Sequence, residues 1–253
     1  MIIAISNQKG GTGKTTTTLN LGAALAHFHK KKVLLIDLDP QGSLTLFTGL
    51  MPEELNEHVG TVVANPSNFK EALVDYFLPS LKLLPGHASM TKLNSDATNI
   101  DWKEGMVKAL KKANKQFDYV LIDCPPTLGP LAEQAMCVAD QMIVPLQCEY
   151  MALRGVQLIL GTLAHVQETC NKKLNVMGIL PTMFDARTLH AKEVLLEIRD
   201  ALDGQVNVFD TVIPRTVRFP ESAVTMLPIF EYDPKNAAAK AYKKLAKEVV
   251  NHG

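Results

Sequence analysis

The chain has 253 residues, 26 of them Lys or Arg and 26 Asp or Glu, so its formal net charge is zero; apolar residues make up 47% and charged residues 21%. That composition is too hydrophobic and too evenly charged for intrinsic disorder, and no apolar run approaches the ~20 residues that span a bilayer. With no net charge, attraction to DNA or to an anionic membrane has to come from a local basic patch.

The first strand is expected over residues 2–6, a short apolar run without the basic start of a signal peptide, leading into a Gly-rich loop. A helix is expected over 14–29 and a buried strand over 33–37. The stretch 48–100 has the weakest pattern and is expected to form loops and short elements on one edge, with a weak strand at 82–84. Further on, the pattern gives a helix at 102–115, a strand at 119–123, a helix at 131–139 and a strand at 142–146. Helices at 153–168, 189–202 and 234–250 follow, with weaker strands at 176–183 and 206–209. The main strands are nearly continuous in apolar character, as in a parallel sheet covered on both faces. The alternation predicts an α/β fold: a doubly wound, mostly parallel sheet with helices on both faces, in a single domain over 1–253.

Four cysteines, Cys124, Cys137, Cys148 and Cys170, form no CxxC pair. They read as free, buried thiols in a reducing compartment, and not as a zinc or redox motif.

The strongest motif is Lys9-Gly10-Gly11-Thr12-Gly13-Lys14-Thr15-Thr16, between the first strand and the first helix. Glycines let backbone N–H groups turn toward phosphate oxygens, and the helix N-terminus adds positive potential. Lys14 is expected to reach the β- and γ-phosphates of ATP, the Thr15 hydroxyl to ligate Mg²⁺, and Thr16 to bond phosphate. The first glycine of the standard spacing falls on Gln8, and a second lysine, Lys9, opens the loop. Two buried strands end in acids at Asp37-Leu38-Asp39-Pro40 and at Asp123-Cys124-Pro125-Pro126. Ligands of open α/β sheets bind outside such strand ends. Asp123 reads as a Walker B residue holding Mg²⁺ through water. Asp37 and Asp39, two apart, are expected to point the same way, and one of them to position the attacking water.

These motifs resemble those of the ParA (Soj) partitioning ATPases, within the deviant Walker A class that also holds MinD. Asn7 to Thr15 is similar to that family's phosphate loop, and the Asp37 and Asp123 segments to its second motif and Walker B. The segments Gln147-Cys148-Glu149-Tyr150 with Ala152-Leu153, Thr182-Met183-Phe184-Asp185-Ala186-Arg187-Thr188 and Val212-Ile213-Pro214-Arg215 match it as well. The resemblance implies an ATPase using ATP and Mg²⁺, whose ATP-bound homodimer binds double-stranded DNA nonspecifically and lets go on hydrolysis. A ParB-type centromere-binding partner stimulates that hydrolysis, and the protein is cytoplasmic and nucleoid-associated. It implies that Lys9 crosses to the partner protomer's phosphates, that Asp39 orients water, that Pro214 and Thr216 contact the adenine, and that Arg187 and Arg218 bind DNA. The family often has Asn where Thr216 stands, and Glu where Arg154 stands. No helix-turn-helix extension precedes residue 1, so operator-specific autoregulation is not expected. Lysines 235, 240, 243, 244 and 247 read as a solvated helix face, with an extension of the DNA patch as the alternative.

The competing readings are a MinD-like membrane-binding ATPase, a ParA-like cargo-positioning ATPase and an electron-transfer ATPase of the nitrogenase iron-protein kind. Stable membrane binding is not expected. The last helix has Tyr242, Leu245, Ala246 and Val249 on one side, expected to pack on the sheet and leave no apolar face for lipid. The iron-protein reading would need paired, well-placed cysteines.

Overall fold

The structure, a computed structural model, describes residues 1–94, 102–127, 129–149 and 152–252. Tyr150, in one of the matching motifs, and residues 95–100, the end of the weakly patterned stretch, lie outside them. Seven strands form one sheet: β1 (Ile2–Ile5), β2 (Val33–Asp37), β3 (Val74–Tyr76), β4 (Leu78–Leu84), β5 (Tyr119–Asp123), β6 (Gln141–Gln147) and β7 (Asn175–Thr182). Their order is β3-β4-β2-β5-β1-β6-β7, and every pairing is parallel except β3 with β4. The expected doubly wound, mostly parallel sheet is therefore present.

Period-2 alternation divides the core between the two faces. Ile2, Ala4, Leu34, Ile36, Val120 and Ile122 belong to one cluster, with residues of α4 (Trp102–Ala113), α5 (Pro130–Val138) and α6 (Ala152–Thr169). Ile3, Ile5, Val33, Leu35, Tyr119 and Leu121 belong to the other, with α1 (Lys14–His29) and α10 (Ala237–His252). Both faces being covered, β1, β2 and β5 are buried at every residue. Each buried Val, Leu or Ile contributes about 1.5–3 kcal/mol by leaving water, which explains why these strands are almost uninterrupted in apolar sequence.

The stretch after β2 holds α2 (Ser43–Phe47), α3 (Val59–Ala64), single 3₁₀ turns and the antiparallel β3. β3 has three residues, and its register shifts between Asp75 and Tyr76. Asp75 pairs with Lys82. Between β7 and α10 lie α7 (Leu189–Leu202), α8 (Arg218–Val224) and α9 (Ile229–Tyr232).

Two expectations need correction, and one contact of the last helix was not anticipated. Residues 206–209 do not form a strand. They make one bridge, Ile179 with Val208, because the Asn207 side chain donates to Met177 O at 2.9 Å and occupies a ladder position. The last helix joins the core on the α1 face of the sheet and also packs against α1, with the Tyr242 hydroxyl 3.2 Å from Thr17 Oγ1. Finally, Cys137 and Cys170 form a disulfide, Cα atoms 5.4 Å apart, while Cys124 and Cys148 are buried thiols. The premise of four free thiols therefore does not hold. The bonded pair is 33 residues apart in sequence, so no local spacing discloses it.

Candidate nucleotide site

The loop joining β1 to α1 turns on two glycines in the left-handed region, Gly11 (φ 73°) and Gly13 (φ 89°), where a side chain would be strained. Gly13 is the N-cap of α1 and offers no side-chain cap. That leaves the first amides of α1 free to meet an anion. The loop is held from outside as well: Thr182 Oγ1 donates to Thr12 O at 2.9 Å, and Lys9 N to Asn7 Oδ1 at 3.0 Å.

The two loop lysines face different ways. Lys14 is buried, its Nζ 3.2 Å from the Lys9 carbonyl oxygen. Burial lowers its pKa, and Asp123, Cys124 and Asp39 act in the opposite sense. Lys9 instead reaches out of the loop to Glu149, Nζ to Oε2 2.8 Å, with both side chains more than half exposed.

The acids also separate. Asp37 and Asp123 are register partners on β2 and β5, and both are fully buried. Burial raises the pKa of each, that of Asp37 to about 6, and the proximity of Asp37 raises Asp123 further. Asp37 is nevertheless well satisfied. It accepts from Thr45 N at 2.8 Å, Thr45 Oγ1 at 2.7 Å and Asp39 N at 3.1 Å. Its carboxylate thus shapes the turn into α2. Asp39 lies beyond the end of β2, so strand alternation does not govern it. It is only partly buried and accepts from Gln41 N at 2.9 Å. The two differ in burial and bonding, yet the charge of Asp39 is felt by Asp37, Asp123 and Lys14 alike.

Asp123 accepts from Thr18 Oγ1 at 3.3 Å through one oxygen, while Oδ2 is buried without a hydrogen-bond partner. A buried carboxylate oxygen left unpaired costs about 1–3 kcal/mol or more. Together with the Thr15 hydroxyl it offers the hard oxygen donors that suit Mg²⁺, so the residues present fit that ion.

Beside the loop opens a cleft of about 550 Å³ lined by Gly13, Thr16, Phe47, Met183, Pro214 and Thr216, with Phe219 and Tyr242 in its wall. Its mostly apolar lining suits a flat base. Pro214 and Thr216, expected at the adenine, line this cleft. Phe47, Met183 and Phe219 were not anticipated, since they come from three separate loops and helices with no shared periodicity. Thr45 and Thr18, which bond the two buried acids, were also missed.

Arg187 and Arg218 are exposed, and both are engaged. Arg187 makes two hydrogen bonds to Asp185, 2.9 and 2.7 Å. Arg218 pairs with Glu221 at 2.7 Å and with Asp233 at 3.5 Å. Each arginine in turn lowers the pKa of its carboxylate partner, that of Asp185 to about 2.

Among the described residues no helix is long and apolar enough to cross a membrane. Residues 1–176 match the family described as AAA domain. The chain is 38% identical over 253 residues to the sporulation initiation inhibitor protein Soj of Bacillus subtilis (strain 168), covering 100% of this chain and 99% of that one. It is 38% identical over 254 residues to the chromosome partitioning protein ParA of Caulobacter vibrioides (strain NA1000 / CB15N), covering 99% and 94%. Among solved structures, a cobyrinic acid a,c-diamide synthase from Mycobacterium smegmatis, with bound ATP analogue and magnesium, aligns with TM-score 0.83 and 36% identity, over 99% and 94% of the two chains. The cell division ATPase MinD of Pyrococcus furiosus aligns with TM-score 0.77 and 26% identity, over 100% and 99%.

Proposed function

Since the chain belongs to the AAA-domain family of P-loop ATPases, with Soj and ParA chromosome partitioning proteins among its relatives, we propose that it is the ATP-driven switch of a DNA segregation system. Its ATP-bound form pairs with a second copy, holds duplex DNA without sequence preference, and releases it when a ParB-type partner stimulates hydrolysis.

One observation carries this reading: the opposite disposition of Lys9 and Lys14. Lys14, buried at the base of the loop, serves its own protomer's phosphates. Lys9 has its ammonium outside the loop on an exposed carboxylate, free to reach phosphates bound by a second copy. A second cation delivered only on pairing makes charge stabilisation depend on the dimer.

Around ATP, the amides of residues 10–15 and the Lys14 ammonium bind phosphate, and Thr16 adds a hydroxyl. Pro214 and Thr216 flank the base. Thr15 and Asp123 hold Mg²⁺, which when bound draws charge from the phosphate oxygens. Asp37, held by Thr45, keeps the turn that carries Asp39 in place, and Asp39 orients the attacking water. Arg187 and Arg218 supply the DNA contacts, forming one weak half-site per protomer, and pairing adds the two half-sites together. Fully exposed ion pairs of the kind they make hold only weakly against water and salt, so phosphates can displace Asp185, Glu221 and Asp233.

A membrane-bound alternative finds no support in α10. Tyr242, Leu245, Ala246 and Val249 are all buried, which leaves no apolar stripe for lipid.

The test is binding to random-sequence duplex with ATP, ADP or no nucleotide across a salt series. Binding with ATP alone, weakening steeply with salt, is the expected result. Binding indifferent to nucleotide, or none in any state, would overturn the reading.

A further inference from the structure

We propose that Glu133, Cys137, His165 and Cys170 form a site for a zinc-class divalent cation when the two sulfurs are reduced, and that the Cys137–Cys170 disulfide is its oxidised, metal-free form. None of the four lines the nucleotide cleft.

Glu133 and Cys137 are one helical turn apart on α5, so they share a face. His165 lies in the last turns of α6, and Cys170 follows that helix. The ligating atoms of Glu133, Cys137 and Cys170 all lie within 4.8 Å of one another. His165 Nε2 is 3.9 Å from Glu133 Oε1. Two thiolates, one imidazole and one carboxylate make four ligands of the softness that zinc takes in tetrahedral sites. Zn–S bonds of about 2.3 Å put two tetrahedral sulfurs roughly 3.8 Å apart. With Cα atoms 5.4 Å apart, rotation of the two cysteine side chains suffices to reach that separation.

The cluster does not depend on the disulfide to stay together. Asn171 Nδ2 donates to Met136 O at 2.9 Å and to Ala139 O at 2.8 Å, tying the end of α5 to the residue after Cys170. Reduction therefore leaves Glu133, Cys137 and Cys170 side by side, with His165 against Glu133. The Glu133–His165 contact has no evident structural purpose: at 3.9 Å and half exposed, it contributes almost nothing to stability. In a metal site both groups become ligands.

The exchange balances with a low-molecular-weight disulfide as oxidant. The two zinc-bound thiolates each lose one electron and join, the zinc ion leaves, and the oxidant takes up two electrons and two protons to give two thiols. Reduction by two thiols reverses the step. The site then binds metal in reducing surroundings and releases it on oxidation.

The experiment is a Co²⁺ titration of the full-length protein, reduced and stripped of metal, beside the same protein oxidised with diamide. Thiolate-to-cobalt charge transfer and the strong visible bands of tetrahedral cobalt are expected at one equivalent in the reduced protein only, abolished by Zn²⁺. The Cys137→Ser/Cys170→Ser double variant should lose them although Cys124 and Cys148 remain. Glu133→Gln and His165→Ala should each weaken zinc binding at least as much as loss of an outer-shell partner does, about tenfold. Absence of the bands in the reduced wild type, their persistence in the double variant, or unchanged affinity in both single variants would overturn the site. Because reduced and oxidised protein share one sequence, misfolding of a variant cannot mimic the result.

Discussion

Lys9 and Glu149 form an ion pair of 2.8 Å that joins the phosphate loop to the end of β6. If Lys9 is needed by a second copy, Glu149 competes for it. Because the pair is exposed, it is worth at most about 1 kcal/mol, or roughly fivefold in an equilibrium. A dimer releases two such pairs, one per protomer, so Glu149→Ala should raise ATP-dependent dimer formation by up to the square of that factor, roughly 25-fold. Lys9→Ala should bind ATP and stay monomeric in analytical ultracentrifugation. A dimer formed by Lys9→Ala with ATP would remove Lys9 from the interface.

Lys14 and Asp39 should fail differently. Lys14→Ala loses a charge-assisted phosphate contact of about 1.5–3 kcal/mol, so ATP binding should fall about 10- to 100-fold. Asp39→Ala should bind ATP normally and turn over about 10²- to 10⁴-fold more slowly, accumulating as the ATP dimer. Nucleotide titration and single-turnover hydrolysis separate the two. Equal loss of binding in both variants would contradict the roles.

Asp185→Asn removes the carboxylate that occupies Arg187. DNA affinity of the ATP form should rise by a factor of about 2–5, the yield of one exposed pair. Arg187→Glu should dimerise yet bind DNA poorly. Unchanged affinity in both variants would exclude Arg187 from the contact.

His58 caps α3, its Nδ1 accepting from Gly60 N at 3.1 Å, and stacks on His87 with centroids 4.3 Å apart. Burial, then the charge of His87, pushes its pKa down to about 4, against about 6.5 in the unfolded chain. The unfolded state therefore takes up the proton first. The stability this group provides is complete above pH 6.5 and is lost as pH falls from there toward 4. His58→Asn keeps a capping side chain but does not titrate. Urea midpoints measured from pH 7 to 4.5 should fall less for the variant; parallel curves would refute the assignment.

Gly105 tests packing against propensity. Alanine in a helix interior gains about 1 kcal/mol over glycine, but here its Cβ would lie 2.2 Å from Val63 O and 2.8 Å from Val63 Cγ1. Overpacking costs about 1–3 kcal/mol or more, so Gly105→Ala should lower the melting temperature. A rise would show that α3 and α4 can separate freely.

The sheet was legible because burial on both faces forces apolar sequence and helices follow their own period. The phosphate loop was legible because glycine, lysine and a helix start must adjoin in sequence. What was not legible depends on chain-distant partners. Cys137 meets Cys170 only once α5 and α6 pack. Asp37 and Asp39 look equivalent in sequence, but only the first is bonded by Thr45, a residue eight positions further on. Phe47 and Phe219 face each other's cleft from segments far apart, and no single-segment pattern records that. The bridge at Val208 looked like a strand because Val206, Val208 and Phe209 are strand formers; a side-chain bond from Asn207 decided otherwise.

The three-residue β3 with its register shift, and Asn207 lying along β7, have a consequence for self-association. Each outer margin of the sheet is too short or too occupied to template a neighbouring chain, which is how native proteins avoid runaway aggregation. Copies of this protein therefore cannot join by continuing the sheet. Association falls to side-chain surfaces, and in the proposed switch the surface at the mouth of the phosphate loop is the one a nucleotide would control.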